Sequence, residues 1–202
     1  TPLTVIKSYG EMIRDISGDN KTLRDKHVQT IIEEADYLTH FVNDLLDLSR
    51  VESGLGQLNL DAVDLKALTE DVLCRFKNLE RTGYTFAIHG EGRAVCDENK
   101  IRQVIYNFIT NAVNYSTDKK QIDIYIIEQK DKITYCVRDY GRGMADGDRD
   151  KIWERFYRGR DNHERQVVGT GLGLFICKNI LELHGFSYGV KSKLGEGSTF
   201  YF

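Results

Sequence analysis

Nothing in this chain approaches the run of ~18 apolar residues that a membrane span requires, and its opening, Thr1-Pro2-Leu3, lacks the basic and apolar stretches of a secretion signal. A soluble piece of a longer protein is expected. Basic residues are not in surplus: 28 lysines and arginines face 31 aspartates and glutamates, a formal net charge of -3. Neutralising a nucleic-acid backbone needs a cationic excess, so neither nucleic acid nor a membrane surface is an expected partner of this piece. The four cysteines, at 74, 96, 136 and 177, are too widely spaced for a metal-type or redox-type pair, and reduced thiols in a cytosolic compartment are expected. Two phosphate-handling signatures are missing as well. There is no G-x-x-x-x-G-K-[ST] P-loop, and no H-R-D or D-F-G set of a serine/threonine-type kinase.

What is there begins with helical periodicity. Ile6, Tyr9, Ile13 and Ile16 form one stripe. Val28, Ile31, Ala35, Leu38, Val42 and Leu45 form another, whose alternating steps of three and four make a seven-residue, coiled-coil-like repeat. SGDNK (17–21) between them is a turn cluster, so residues 1–53 read as an α-helical hairpin. Ile32, Phe41 and Leu46 widen the second stripe beyond what one partner helix covers. Two hairpins packed as a four-helix bundle would cover it, which makes a homodimer the expected assembly.

The periodicity stops at RVESGLGQ (50–57), and residues 54–202 read as a second domain. Within it LTEDVLCRF and ENKIRQVIYNFITNAVNYS read as helices, the second with Ile101, Val104, Ile105, Phe108 and Val113 as its apolar positions. YTFAIHG and RAVCD read as short strands, and QIDIYIIEQ and KITYCVRD alternate with period two about a turn at 130–132. Helices are expected around 149–157 and 170–184, then a last strand pair in SYGVKSK and GSTFYF. Strands and helices that do not alternate strictly predict an α+β two-layer sandwich, with helices on one face of a mixed sheet.

Chemistry is concentrated in this second domain. VVGTGLGLFICKNILELHG (167–185) puts Gly169, Gly171 and Gly173 at the mouth of a helix. Glycines there allow close backbone approach, and the unpaired N–H groups of a first helical turn favour an anion. A loop that merely needs unusual dihedrals accounts for them equally. Asn107 and Asn111 lie one turn apart on one face of the long helix. The strand at 132–138 runs into DYGRGM (139–144), and IWERFYRG (152–159) stands between it and GTGLGL (169–174), so four motifs follow in order.

In this order the motifs resemble the N, G1, F and G2 boxes of the ATP-binding domain of sensor histidine kinases. TPLT at 1–4 resembles the tail of that family's H box, H-E-x-R-T-P-L-T. The resemblance covers the whole chain, with the hairpin as the dimerisation and phosphotransfer domain. It implies binding of ATP with Mg2+, transfer of the γ-phosphoryl group to a histidine, and onward transfer to an aspartate of a response regulator receiver domain. It also implies a membrane-bound parent with this part on the cytoplasmic side. Asp139 resembles the carboxylate that accepts from the adenine amine, with Gly141 and Gly143 letting the backbone pass close to the nucleotide. Asn111 resembles the magnesium ligand, a carbonyl oxygen suited to a hard cation, and Asn107 a polar residue of the same site. Tyr115 resembles the aromatic that lies along the nucleotide. Phe156 and Arg158 resemble the F-box aromatic and a lid cation facing the phosphates. Gly169, Thr170, Gly171, Leu172 and Gly173 resemble the phosphate cradle, and Thr199 the hydroxyl residue that supports adenine recognition.

The chain departs from the family pattern at Asn114, where lysine is usual, and Arg158, then Arg160 or Arg165, are the expected compensating cations. HGF (184–186) stands where two glycines are usual, which reads as a packing variation. By the H-box pattern the acceptor falls four residues before Thr1, so these 202 residues are expected to bind ATP without autophosphorylating. His27, His40, His89 and His184 read as structural, and His163 in NHER copies the His-Glu dipeptide without its Thr-Pro-Leu-Thr context. Thr1, one turn after the acceptor position, implies a phosphatase role that orients a water toward a phosphorylated regulator; its structural alternative is an N-cap with Pro2 in the first turn. Two rivals stay open, a conformational ATPase of the gyrase and chaperone group and a catalytically silent dimer scaffold. The first needs a glutamate to activate water where this chain has Asn107, and an amide is no general base. Filled magnesium and adenine positions speak against the second, and Asn114 keeps it open.

Overall fold

The structure, a computed structural model, describes residues 1–52, 57–130, 132–157 and 170–202. Thr1 caps helix α1 (Pro2–Met12): its Oγ1 accepts from the Thr4 N–H at 3.4 Å, and Pro2 sits in the first turn, where a missing N–H is harmless. The helix runs on into a π turn, Ile13–Ser17. There Ser17 Oγ donates to Met12 O (3.2 Å) and meets His27 Nδ1 at 3.0 Å. Asn20 Oδ1 accepts from Leu23 N at 3.1 Å, starting helix α2 (Lys21–Glu52), which packs on α1 as a hairpin. The apolar seam expected on α2 is split between two faces. Ile31, Leu38 and Phe41 are half-buried, whereas Val28, Ile32, Val42, Leu45 and Leu46 remain 39–52% exposed, as do Leu3 and Ile16 of the first helical stretch to a greater degree.

The second unit opens with β1 (Leu60–Asp64), a strand whose sequence pattern is silent because only Val63 of its residues is buried. It pairs antiparallel with β3 (Arg93–Asp97) as a separate two-stranded sheet. Asp64 Oδ1 accepts from Lys66 N and Ala67 N, both at 3.0 Å, and so caps α3 (Leu65–Leu73). A single turn, α4 (Lys77–Glu80), precedes β2 (Thr85–His89). The long helix α5 (Glu98–Tyr115) starts at Asp97, whose carboxylate accepts from Lys100 N at 3.1 Å. Then come β4 (Gln121–Gln129), β5 (Lys132–Asp139), α6 (Gly173–Leu183), β6 (Gly189–Lys193) and β7 (Gly197–Tyr201).

The main sheet has the order β2-β4-β5-β7-β6, with β2 and β4 parallel and the other neighbours antiparallel. It is mixed, and helices cover one face, as a two-layer α+β sandwich requires. α5 is the spine of the core: Ile101, Val104, Ile105, Phe108, Ile109 and Ala112 are buried against Ile122, Ile124 and Ile126 of β4, Val137 of β5 and Phe200 of β7. Val113 is only half-buried.

One expected element is replaced. In place of a helix around 149–157 there are two single 3-10 turns, Asp146–Asp148 and Lys151–Trp153. Trp153 is buried edge-on against Phe108, Phe200 and Tyr188, and the chain then reverses at Phe156, whose φ is 59°. A right-handed helix cannot contain that φ, which is uncommon for any residue with a side chain.

Candidate functional site

Asp139 ends β5 on the helix-covered face and is 2% exposed. Its Oδ1 accepts from Gly141 N at 2.9 Å and Ser198 N at 3.1 Å. Among the described residues Oδ2 has no partner. Burial pushes this carboxyl above its ordinary pKa, and the two backbone N–H groups offset that only in part. The result is a carboxylate held in a fixed direction by backbone donors, with one oxygen left for a single further N–H donor.

The loop after Asp139 passes against the end of α5. A Cβ on Gly141 would lie 1.9 Å from the Tyr115 carbonyl oxygen, so only glycine fits. Arg142 N donates to that same oxygen at 3.3 Å, and the Arg142 guanidinium lies over the Tyr115 ring, 4.7 Å from its centroid. Gly143, with φ 66°, closes the loop beside Lys193 O.

On the neighbouring face of α5, Asn107 Nδ2 donates to Gly173 O at 3.3 Å and approaches Cys177 Sγ at 3.5 Å, which ties α5 to the start of α6. Asn111, one turn on, is half-buried, and its amide makes no hydrogen bond among the described residues. The mouth of α6 is built locally. Thr170 Oγ1 accepts from Leu172 N at 3.1 Å, and Gly171, with φ 71°, accepts through its carbonyl from Phe156 N at 3.0 Å. Phe156 and the glycine loop therefore meet.

The structure thus brings together Asn107 with Gly173, Tyr115 with Asp139's loop through Gly141, and Phe156 with Gly171. Arg158 and Gly169 lie outside the described residues, as do Arg160, His163 and Arg165. Thr1 is engaged as the cap of α1. Thr199 is not brought to Asp139. Its register partners are Arg138 and Lys191, and side chains alternate, so it shares their face of the sheet, away from the helices. Ser198 stands on Asp139's face and supplies the N–H. Its hydroxyl meets Ser192 Oγ at 2.9 Å, and Ser192 Oγ in turn accepts from Met144 N at 2.9 Å. Asn114 is exposed.

Three histidines have structural partners. His27 is held by Ser17 and, edge-on, by Tyr9. His184 bridges helices: Nδ1 donates to Ile180 O (2.7 Å) and Nε2 accepts from Asp97 N (3.0 Å), which fixes its tautomer. His89 lies 3.6 Å from Asp123.

Residues 96–202 match the family described as histidine kinase-, DNA gyrase B-, and HSP90-like ATPase, and residues 1–54 match the His Kinase A (phospho-acceptor) domain. The chain belongs to that ATPase family. With the phospho-acceptor hairpin ahead of the ATPase sandwich, it is a histidine kinase catalytic core. It is similar to sensor histidine kinase MtrB of Mycobacterium leprae, 31% identical over a 205-residue alignment that covers 99% of this chain and 36% of MtrB. It is 30% identical over 207 residues to sensor histidine kinase WalK of Bacillus subtilis, covering 100% of this chain and 34% of WalK. The chain spans about a third of the length of these curated relatives. Among solved structures, the histidine kinase AdeS of Acinetobacter baumannii superposes with a TM-score of 0.76 at 25% identity, over 100% of this chain and 93% of AdeS. Full-length ShkA in complex with AMPPNP (TM-score 0.74, 24% identity, 100% of this chain and 45% of ShkA) shares the fold. So does ThkA in complex with response regulator TrrA (0.79, 22%, 100% and 57%).

Proposed function

We propose that this core binds Mg-ATP and passes its γ-phosphoryl group to an imidazole of the hairpin domain in the parent protein, from which an aspartate of a response regulator takes it. The observation that carries this reading is the buried Asp139 acceptor standing at one end of α5's polar face, with the mouth of α6 at the other. Asp139 Oδ2 accepts the adenine amine, and the N–H groups at the start of α6 face the phosphates. Asn111 fits a magnesium ligand: its amide is unpartnered among the described residues, and a carbonyl oxygen is one of the hard donors such an ion takes alongside phosphate oxygens and water. Magnesium supplies charge neutralisation on the triphosphate. The protein's own share is alignment, because phosphoryl transfer needs positioning and fixed dipoles more than covalent help. Asn107 binds Gly173 and offers no base for water, which favours transfer over hydrolysis. ShkA bound to AMPPNP and ThkA bound to a regulator support the choice of ligand and partner.

The same reading divides the chain at residues 53 and 54, gives Thr1 its regulator-directed phosphatase role, and puts the parent in a membrane with this core on the cytoplasmic side. Among the described residues no helix is long and apolar enough to cross a membrane. Calorimetry is the direct test. Mg-ATP is expected to titrate a single site, and Asn111→Ala to weaken it about tenfold or more, about 1.4 kcal/mol or above. A chain that takes up no heat with Mg-ATP sinks the reading.

The exposed stripe of Val28, Ile32, Val42, Leu45 and Leu46 is the proposed homodimer seam. Light scattering at micromolar concentration is expected to give a dimer, and the double variant Ile32→Asp/Val42→Asp a monomer, since two buried carboxylates would face each other's copies across the bundle. A monomeric parental chain would refute the assembly.

A further inference from the structure

Tyr140 stands between Asp139 and Gly141, and no motif gives it a part. Alternation at the end of β5 turns its side chain to the sheet face away from the helices, opposite Asp139. There its hydroxyl donates to Asp123 Oδ2 at 2.6 Å. Asp123 lies in β4, in register with Arg138 on the face away from α5 and α6, and is only 3% exposed. Gln121 Nε2 donates to both carboxylate oxygens, at 3.1 and 3.0 Å, and His89 Nε2 lies 3.6 Å from Oδ1. His89 is itself stacked on Tyr125, with centroids 4.8 Å apart. Lys119 Nζ sits 3.4 Å and the Arg138 guanidinium 4.7 Å from the centre of the Tyr140 ring. Burial pushes the Asp123 carboxyl up, but the hydrogen bonds from Tyr140 and Gln121, with His89 close beside them, outweigh it and hold the group below its ordinary pKa. The bond to Asp123 raises the Tyr140 phenol.

A carboxylate buried on the outer face, with two hydrogen-bonding neighbours and an imidazole close by, admits few arrangements of those neighbours. Tyr140 lies just past the last paired residue of β5, where the ladder no longer restrains the backbone. Its side chain is fastened instead. We propose that Tyr140 and Asp123 are positioning residues for adenine recognition: by pinning Tyr140 to the outer face they hold the Asp139 carboxylate on the inner one. The inference rests on the reading of Asp139 as the adenine contact. Neither residue touches the nucleotide.

Tyr140→Phe removes one hydroxyl and nothing else. The measurement is calorimetry with two magnesium triphosphates, ATP and the triphosphate of a purine riboside that lacks the exocyclic amine. The parental chain prefers ATP. Tyr140→Phe loses about five- to tenfold of its ATP affinity, the size expected when one hydrogen bond to a charged group is withdrawn from a supporting network, and keeps its affinity for the amine-free analogue. Asp123→Asn, which retains an acceptor for the hydroxyl, loses less for ATP and again nothing for the analogue. Equal losses for both nucleotides would mean general damage and overturn the proposal, as would no loss for either. A parental chain that fails to distinguish the two nucleotides overturns the reading of Asp139 itself, and the proposal with it.

Discussion

Asp139→Asn is expected to weaken ATP binding roughly a hundredfold while leaving the chain at least as stable at neutral pH as the parent. The loss follows from the chemistry of the contact: a hydrogen bond to a charged, buried acceptor is worth about 1.5–3 kcal/mol, and an amide in its place presents a donor to a donor. The retained stability follows from burial. The Asp139 carboxyl has a folded-state pKa above its unfolded one, with desolvation as the leading cause. Between those two values the folded chain holds a proton that the unfolded chain has released, so stability falls as pH rises through that window and stays lower above it. Asparagine carries no charge to desolvate and keeps an oxygen for the Gly141 and Ser198 N–H groups. Thermal melts at pH 4 and pH 7.5 beside calorimetry are the check, the variant gaining on the parent as pH rises. A variant that melts well below the parent at neutral pH contradicts the account.

Gly141→Ala is expected to cost about 3 kcal/mol or more of stability, which for a chain of this size lowers the melting temperature by roughly 6–12 °C. The new methyl would sit 1.9 Å from the Tyr115 oxygen and 2.7 Å from its carbonyl carbon. Both are backbone atoms at the end of a helix whose last turn is closed by Ser116 N on Ala112 O (3.1 Å), so no side chain can swing aside. ATP binding falls with it, because the displaced loop carries an N–H that fixes Asp139. Gly147→Ala is the control. A Cβ there meets nothing within 4 Å, and the change is expected to stay within about 0.5 kcal/mol. Equal melting temperatures for the two variants would falsify the steric argument.

The hairpin, the long helix and the strand pair β4/β5 were legible in the sequence because each has a strong period, near 3.5 or 2, sustained over several repeats. The turn from Asp139 to Gly141, and the contacts of Asn107 with Gly173 and of Phe156 with Gly171, lie within or between motifs whose spacing is local, and local spacing survives folding. What failed was whatever depends on a partner distant in the chain. β1 has a single buried residue and so no alternation to read. The segment 149–157 carries helix-compatible residues, but the burial of Trp153 and the reversal at Phe156 override them. Thr199 and Ser198 are neighbouring hydroxyls, and only strand phase separates them. The signal was present: Phe200 is the inward apolar residue of β7, so Ser198 shares its face and Thr199 does not. The Asp123–Tyr140 bond joins residues 17 apart across a strand hairpin, and without the register nothing pairs them.

The hydrogen bond from Phe156 N to Gly171 O also bears on how this core tolerates change in length. It joins two residues 15 apart in the sequence, Phe156 and Gly171, and so closes the chain between them at one fixed contact. For a chain segment closed at such a contact, doubling the number of residues adds only about 0.6 kcal/mol of closure entropy. Inserted or grafted segments there should leave the melting behaviour of the sandwich almost untouched, making this the natural place to splice a reporter peptide into the molecule.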